Sequence, residues 1–273
     1  MTDSSTPESE NVIQAPRSPR PYQIAFRGAD AIALPALEVL KAGTGTGGTA
    51  CEWELAGVVS QPDRPRGRGK KLQPNAISAW ALEHSIPLFR PEKPGVELAD
   101  WLQAARIDLV VVMAYGHILK QSLLDLPPFG FVNLHASILP KLRGASPVET
   151  AIASGEVETG VSFMRIVRKM DAGPVAAVET VAIDPFETGA SLRLKLAAAC
   201  EPLLKRALPS LFQQDLEFKP QEAAGATYCR KLRKADGQLD FAAPAADLAR
   251  RINGFDPWPG CSASWQGQIL KLR

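Results

Sequence analysis

With 273 residues, 45% of them apolar, the chain is long enough for one to two domains with a sizeable core. No run of 18 or more apolar residues occurs, which excludes a transmembrane helix. The net charge of +2 by itself says nothing about nucleic acid, and four scattered cysteines (Cys51, Cys200, Cys229 and Cys261) with no C-x-x-C pair and three histidines give a metal site no support.

Residues 1–21 are rich in Ser, Pro and Glu and lack the apolar core of a secretory signal, so they are expected to form a disordered extension. Reduced thiols in the cytoplasm are the matching expectation. Residues 22–26 read as a first strand, followed by Gly28 and a helical pattern over 31–40. The glycine-rich run at 43–48 follows a helix and precedes a strand, the reverse of what phosphate binding at a helix N-terminus requires, and reads as a linker. Residues 55–60 form a second strand.

The stretch 61–74 comes directly off that strand. It carries Arg64, Arg66, Arg68, Lys70 and Lys71 against Asp63, a local charge of +4, so the rest of the chain sums to −2. Three prolines and two glycines among its fourteen residues exclude regular structure. Taken alone, it is either a solvated loop or a backbone able to approach phosphates closely.

Residues 75–84 read as a helix capped by Asn75, 87–89 as a short strand and 95–105 as a further helix. The β-branched run 107–114 has the uniform apolarity of a strand buried on both faces of a parallel sheet. The connection 116–130 has room for one short helix. Next comes Phe131-Val132-Asn133-Leu134-His135-Ala136-Ser137-Ile138-Leu139-Pro140-Lys141-Leu142-Arg143-Gly144. In an extended segment, Asn133 and His135 leave the same face, roughly 6 to 7 Å apart. They are expected at the carboxyl end of their strand, where open α/β sheets keep their ligands.

A helix over 148–154 and a strand over 160–167 follow. Asp171 then stands before Gly173, 36 residues after His135. Residues 175–182 alternate as a return strand, and 188–212 as an amphipathic helix covering that antiparallel edge. An amide, an imidazole and a carboxylate suit acyl transfer to an amine: two groups stabilise a developing oxyanion, while the carboxylate orients the imidazole and helps remove a proton. Residues 219–226 read as a linker. Beyond it Arg230, Lys231, Arg233 and Lys234 either face a nucleic acid or are solvated.

Asn133-x-His135, then Ser-Ile-Leu-Pro-Lys-Leu-Arg-Gly, then Asp171-x-Gly173 resembles the folate-dependent formyltransferases. The likeness runs over 22–273. It implies a Rossmann-like α/β catalytic domain at 22–218 and the start of a small, OB-like β-barrel at 227–273, including a Pro-Trp-Pro turn at 257–259. It implies Asn133, His135 and Asp171 as the catalytic set and 10-formyltetrahydrofolate as co-substrate, without a metal. Met113, Ala114, Tyr115, Gly116, Ser137, Ile138, Leu139 and Pro140 would line the folate pocket. His117 would be a rim residue, and Arg143 buried or paired rather than chemical.

Gln-Pro-Asp-Arg-Pro-x-Gly-Arg-Gly-Lys-Lys further resembles the branch of the family that acts on methionyl initiator tRNA. By that likeness Arg64, Arg66, Arg68, Lys70 and Lys71 meet the tRNA, with Arg68 discriminating and Lys70 and Lys71 on phosphates. A cytoplasmic monomer is the expected form. Amino sugar nucleotides or glycinamide ribonucleotide are rival acceptors, and an inactive tRNA-binding relative is a rival of another class. A dinucleotide-dependent oxidoreductase is disfavoured, since no G-x-G-x-x-G follows the first strand. Three departures stand out. Gly28-Ala29-Asp30 replaces the usual Gly-Thr-Pro, Pro174 stands where a polar residue is common, and the family runs on several tens of residues further, which would leave the barrel incomplete.

Overall fold

The computed structural model describes residues 20–43, 52–66, 69, 71–116 and 119–272, and for Arg66 the backbone only. The first strand, β1 (Tyr22–Gly28), leads through a 3-10 turn into α1 (Leu34–Ala42). Next come β2 (Trp53–Val59), the short β3 (Arg64–Arg66) and β4 (Lys71–Gln73), then α2 (Ala76–Glu83). Asn75 caps α2 as expected, its side chain accepting from the N–H groups of Ile77 and Ser78. The chain continues through β5 (Leu88–Phe89), α3 (Val96–Ala104), β6 (Leu109–Met113), α4 (Gln121–Leu124) and β7 (Phe131–His135). It then forms β8 (Arg143–Gly144), α5 (Pro147–Ala153), β9 (Glu158–Arg165), β10 (Val175–Ala182) and α6 (Gly189–Phe212). The last elements are β11 (Tyr228–Cys229), α7 (Ala245–Gly254), β12 (Cys261–Trp265) and β13 (Gln268–Leu272).

Seven strands make the main sheet in the order β10-β9-β7-β6-β1-β2-β5. The five from β5 to β7 are parallel; β9 runs antiparallel to β7, and β10 antiparallel to β9. Every residue of β6 is buried because helices cover both faces. Ile24, Phe26, Leu109, Val111, Val132 and Leu134 pack with α1 and α6, while Ala25, Val59, Val110, Val112 and Phe131 pack with α3 and α4. The expected helix over 188–212 is α6, begun by a capping box at Thr188 and Ser191. It continues through Pro202, which lies on its exposed face where a missing N–H leaves no buried carbonyl orphaned.

The region 61–74 departs from expectation. Instead of lacking regular structure, it pairs Arg64 with Gln73, Pro65 with Leu72 and Arg66 with Lys71 as an antiparallel ribbon. A two-stranded ribbon has a free edge on each strand, so a proline can turn its donorless nitrogen outward, and Gly69 supplies a positive φ of 96° near the tip. Residues 1–19 of the extension, residues 44–48 of the glycine-rich run, Cys51, Arg68, Lys70 and His117 lie outside the described residues.

After α6 the chain stays against the sheet: Lys219 pairs with Val175, and β11 lies parallel to β8. The C-terminal segment then packs α7 and the antiparallel β12–β13 hairpin around Leu239, Phe255 and Cys261.

Candidate active site

Alternation along β7 sends Val132 and Leu134 into the core and leaves Asn133 and His135 together on the opposite face, at the carboxyl end of the strand. His135 is 5% exposed. The residues after it fold back tightly. The Ser137 N–H donates to the His135 carbonyl at 2.8 Å, and the Ser137 hydroxyl to the Lys141 carbonyl at 2.6 Å. From β9, the buried Ser162 hydroxyl donates to the Ser137 carbonyl and accepts from the Leu139 N–H.

This turn returns Leu142, at φ +56°, so that its carbonyl meets His135 Nε2 at 2.9 Å. A carbonyl only accepts, so Nε2 carries a proton, and only Nδ1 remains for a substrate or a carboxylate.

Asp171 supplies that carboxylate. Its Oδ2 lies 3.9 Å from His135 Nδ1, too long for a hydrogen bond, and accepts from the Gly144 N–H at 2.8 Å. Asp171 itself sits at φ +47°. Two glycines permit this approach: a Cβ at Gly173 would fall 1.9 Å from the Arg165 carbonyl oxygen, and one at Gly144 the same distance from that of Cys229. Ala114, at the end of β6, also has positive φ, so three non-glycine residues in the left-handed region border the site.

The segment after α6, which reads as a linker, holds this arrangement in place. Gln221 Nε2 donates to the carbonyls of Asp171 (2.9 Å) and Gly173 (2.6 Å). Its Oε1 accepts from Nε and Nη2 of the buried Arg143 at 3.0 and 2.7 Å. Arg143 is thus buried and paired, as the resemblance implied. Thr227 Oγ1 accepts from the Leu142 N–H, and Cys229 Sγ donates to the Leu142 carbonyl. Burial pushes the Cys229 thiol up to about 11, which keeps it protonated as a donor. Sequence reading missed Gln221, Thr227 and Cys229; no periodicity or motif marks them.

The expected folate-lining residues flank Asn133 and His135 on neighbouring strand ends, with Val112 of β6 in register with Asn133. Ala114 and Gly116 are exposed, leaving a rim open to a ligand. The Met113 side chain instead packs in the core beside Cys200 Sγ at 3.7 Å. The Ser137 hydroxyl bonds within its own turn, and the Leu139 N–H donates to Ser162 of β9. Among the basic residues, Arg64 pairs with Glu92 at 3.1 Å and Lys71 is exposed. Further along, Arg230 pairs with Asp236 and Lys234 Nζ donates to the Pro259 carbonyl, so both are engaged within the C-terminal segment.

Residues 38–208 match the Formyl transferase family and residues 231–273 the Formyl transferase, C-terminal domain. The methionyl-tRNA formyltransferase of Methylococcus capsulatus is 39% identical over 251 residues, covering 92% of this chain and 79% of that protein. The one from Pseudomonas putida is 40% identical over 221 residues, covering 81% and 71%. Among solved structures, the N-formyltransferase from Helicobacter canadensis in complex with folinic acid and dTDP-3-aminofucose shares the fold. Its TM-score is 0.66 at 18% identity, covering 92% of this chain and 87% of that one.

Proposed function

The chain belongs to the formyl transferase family, and we propose that it transfers the formyl group of 10-formyltetrahydrofolate to the α-amino group of methionyl initiator tRNA, in the cytoplasm. The reading rests on one observation above all. Asn133 and His135 share one face of a strand end, with the Asp171 carboxylate facing His135 Nδ1. The match to methionyl-tRNA formyltransferases over most of the chain favours a tRNA acceptor, and the basic β3–β4 ribbon supports it.

The folate supplies an activated formyl group: the amine's attack on its carbon forms the new C–N bond, and collapse of the tetrahedral adduct breaks the bond to N10, which takes up a proton as tetrahydrofolate leaves. An α-amino group has a pKa near 8, so roughly a tenth is neutral at pH 7 and no strong base is needed. The Asn133 amide donates to the oxygen on which negative charge develops. His135 Nε2–H is held by the Leu142 carbonyl, so Nδ1 is the atom that takes up the amine's proton or presents one to the oxyanion. Asp171 facing it stabilises the imidazolium so formed. The 3.9 Å gap between Nδ1 and Oδ2 is wide enough for a proton to reach either group from a substrate seated above them.

Formylation of methionyl initiator tRNA with 10-formyltetrahydrofolate, beside an Asp171→Asn control, tests the reading. Transfer that disappears in the control is expected. Tight tRNA binding without transfer by the unaltered chain would overturn it in favour of a binding protein.

A further inference from the structure

Arg27 in β1 is 1% exposed, none of its three side-chain nitrogens makes a hydrogen bond of good geometry among the described residues, and its polar neighbour is the Tyr115 hydroxyl. No carboxylate pairs with it either. Its guanidinium lies over the Tyr115 ring, with Cζ 3.9 Å from the centroid. Burial lowers its pKa, yet a guanidinium does not deprotonate in a protein. A buried charge with no carboxylate partner is costly, and an apolar side chain of similar length would fill the same space without that cost. Its position supplies a reason for keeping it. The parallel registers align Arg27 with Val112 and Val112 with Asn133, so Arg27 and Asn133 stand in one row across the sheet. Two strand spacings separate them, about 10 Å. Arg27 and Asn133 also share a face, because Ala25 and Phe131, each two residues away along its strand, pack in the same core layer.

We infer that Arg27 is a ligand-binding residue whose guanidinium takes a planar acceptor edge of the folate co-substrate, with the Tyr115 ring as the cover over it. This rests on the formyl-transfer reading. A guanidinium stacked on an aromatic ring keeps its N–H groups in the plane, directed at a ligand's edge rather than its face. Its depth below the rim excludes a solvated polymer. Two parts of a folate carry that chemistry, the N–C=O edge of the pterin and the carboxylates of the glutamyl tail.

Equilibrium binding of tetrahydrofolate to the wild-type chain, Arg27→Met and Arg27→Lys tests the assignment, with 6-hydroxymethylpterin and p-aminobenzoylglutamate as competing fragments. Arg27→Met is expected to bind tetrahydrofolate ~10- to 100-fold more weakly, as for loss of charge-assisted hydrogen bonds. Its melting temperature without ligand should be no lower, and KM for methionyl-tRNA unchanged. Arg27→Lys keeps the charge without the fork and should fall between. The fragment whose competition Arg27→Met abolishes identifies the end that is read. A lowered melting temperature with unchanged tetrahydrofolate binding in both variants would make Arg27 a support under Tyr115 and overturn the inference. A change confined to KM for methionyl-tRNA would overturn it as well. Wild-type chain that fails to bind tetrahydrofolate would remove the formyl-transfer reading itself, a result distinct from equal binding by all three proteins.

Discussion

The carboxyl end of β7 and the β3–β4 ribbon project from the same rim of the sheet and are built in opposite ways. Around His135 and Asp171, the backbone and side chains of Leu142, Arg143, Gly144, Gln221, Thr227 and Cys229 hold one another in a mutually bonded set in which Leu142, Arg143 and Cys229 are buried. The ribbon has three residue pairs, an exposed Leu72 at its middle, and ion pairs of Arg64 to Glu92 and Asp63 to Arg90 at its base. A two-stranded ribbon is marginally stable alone. On the proposed reading, chemistry that depends on an ångström of placement falls to the over-determined region, and recognition of a large, adaptable partner to the loosely held one. Substitutions in the first should therefore change turnover, and in the second affinity.

The largest effect expected is at Asp171 and Asn133. Asp171→Asn or Asn133→Ala should lower kcat by ~10² to 10³ while leaving KM for tRNA within about twofold. Single-turnover transfer rates check this, and a loss of less than about threefold in Asn133→Ala would break the assignment. Gln221 sharpens the comparison, because its bonds go to Arg143 and to the carbonyls of Asp171 and Gly173. Gln221→Ala releases the Asp171 and Gly173 carbonyls and leaves the buried Arg143 unpaired. We expect kcat to drop ~10-fold with tRNA affinity intact, and the rate profile against pH to shift as Asp171 moves relative to His135. Unchanged kcat with only a lower melting temperature would mean the clamp is purely structural.

In the ribbon, Lys71→Ala should leave kcat alone and raise KM for tRNA a few-fold. The slope of log affinity against log salt should fall by about 1, as for loss of one phosphate contact. Loss of turnover at saturating tRNA would erase the distinction between the two regions.

The smallest effect concerns the exposed Arg230–Asp236 pair. Arg230 and the Arg233 N–H hold the Asp236 carboxyl down at about 2, from 3.8. A depressed carboxyl contributes stability that is present above pH 3.8 and lost as pH falls towards 2. Arg230→Ala should thus slightly weaken the acid limb of unfolding between those values, without changing tRNA affinity. A marked loss of tRNA affinity would assign Arg230 to the partner instead.

Local sequence was enough for the sheet and for the shared strand face of Asn133 and His135. Uniform apolarity marked β6, and alternation put Asn133 and His135 on one face. The basic stretch was misjudged because proline and glycine counts describe a chain's interior preferences, whereas a two-residue-wide ribbon has edges that tolerate them. Gln221 read as part of a linker because nothing in its neighbourhood is periodic, and its partners lie 78 and 50 residues away. Arg27 read as one more residue of a first strand.

The sequence by itself determined which residues can do chemistry and which strand end they occupy, since side-chain direction in a strand follows from a period of two. Only the tertiary structure decided that Leu142 takes His135 Nε2, leaving Nδ1 for Asp171, and that Arg27 is buried in the same row as Asn133. Those facts depend on which strands lie side by side and where long-range turns close. Packing of the whole core sets both, and no local pattern encodes them.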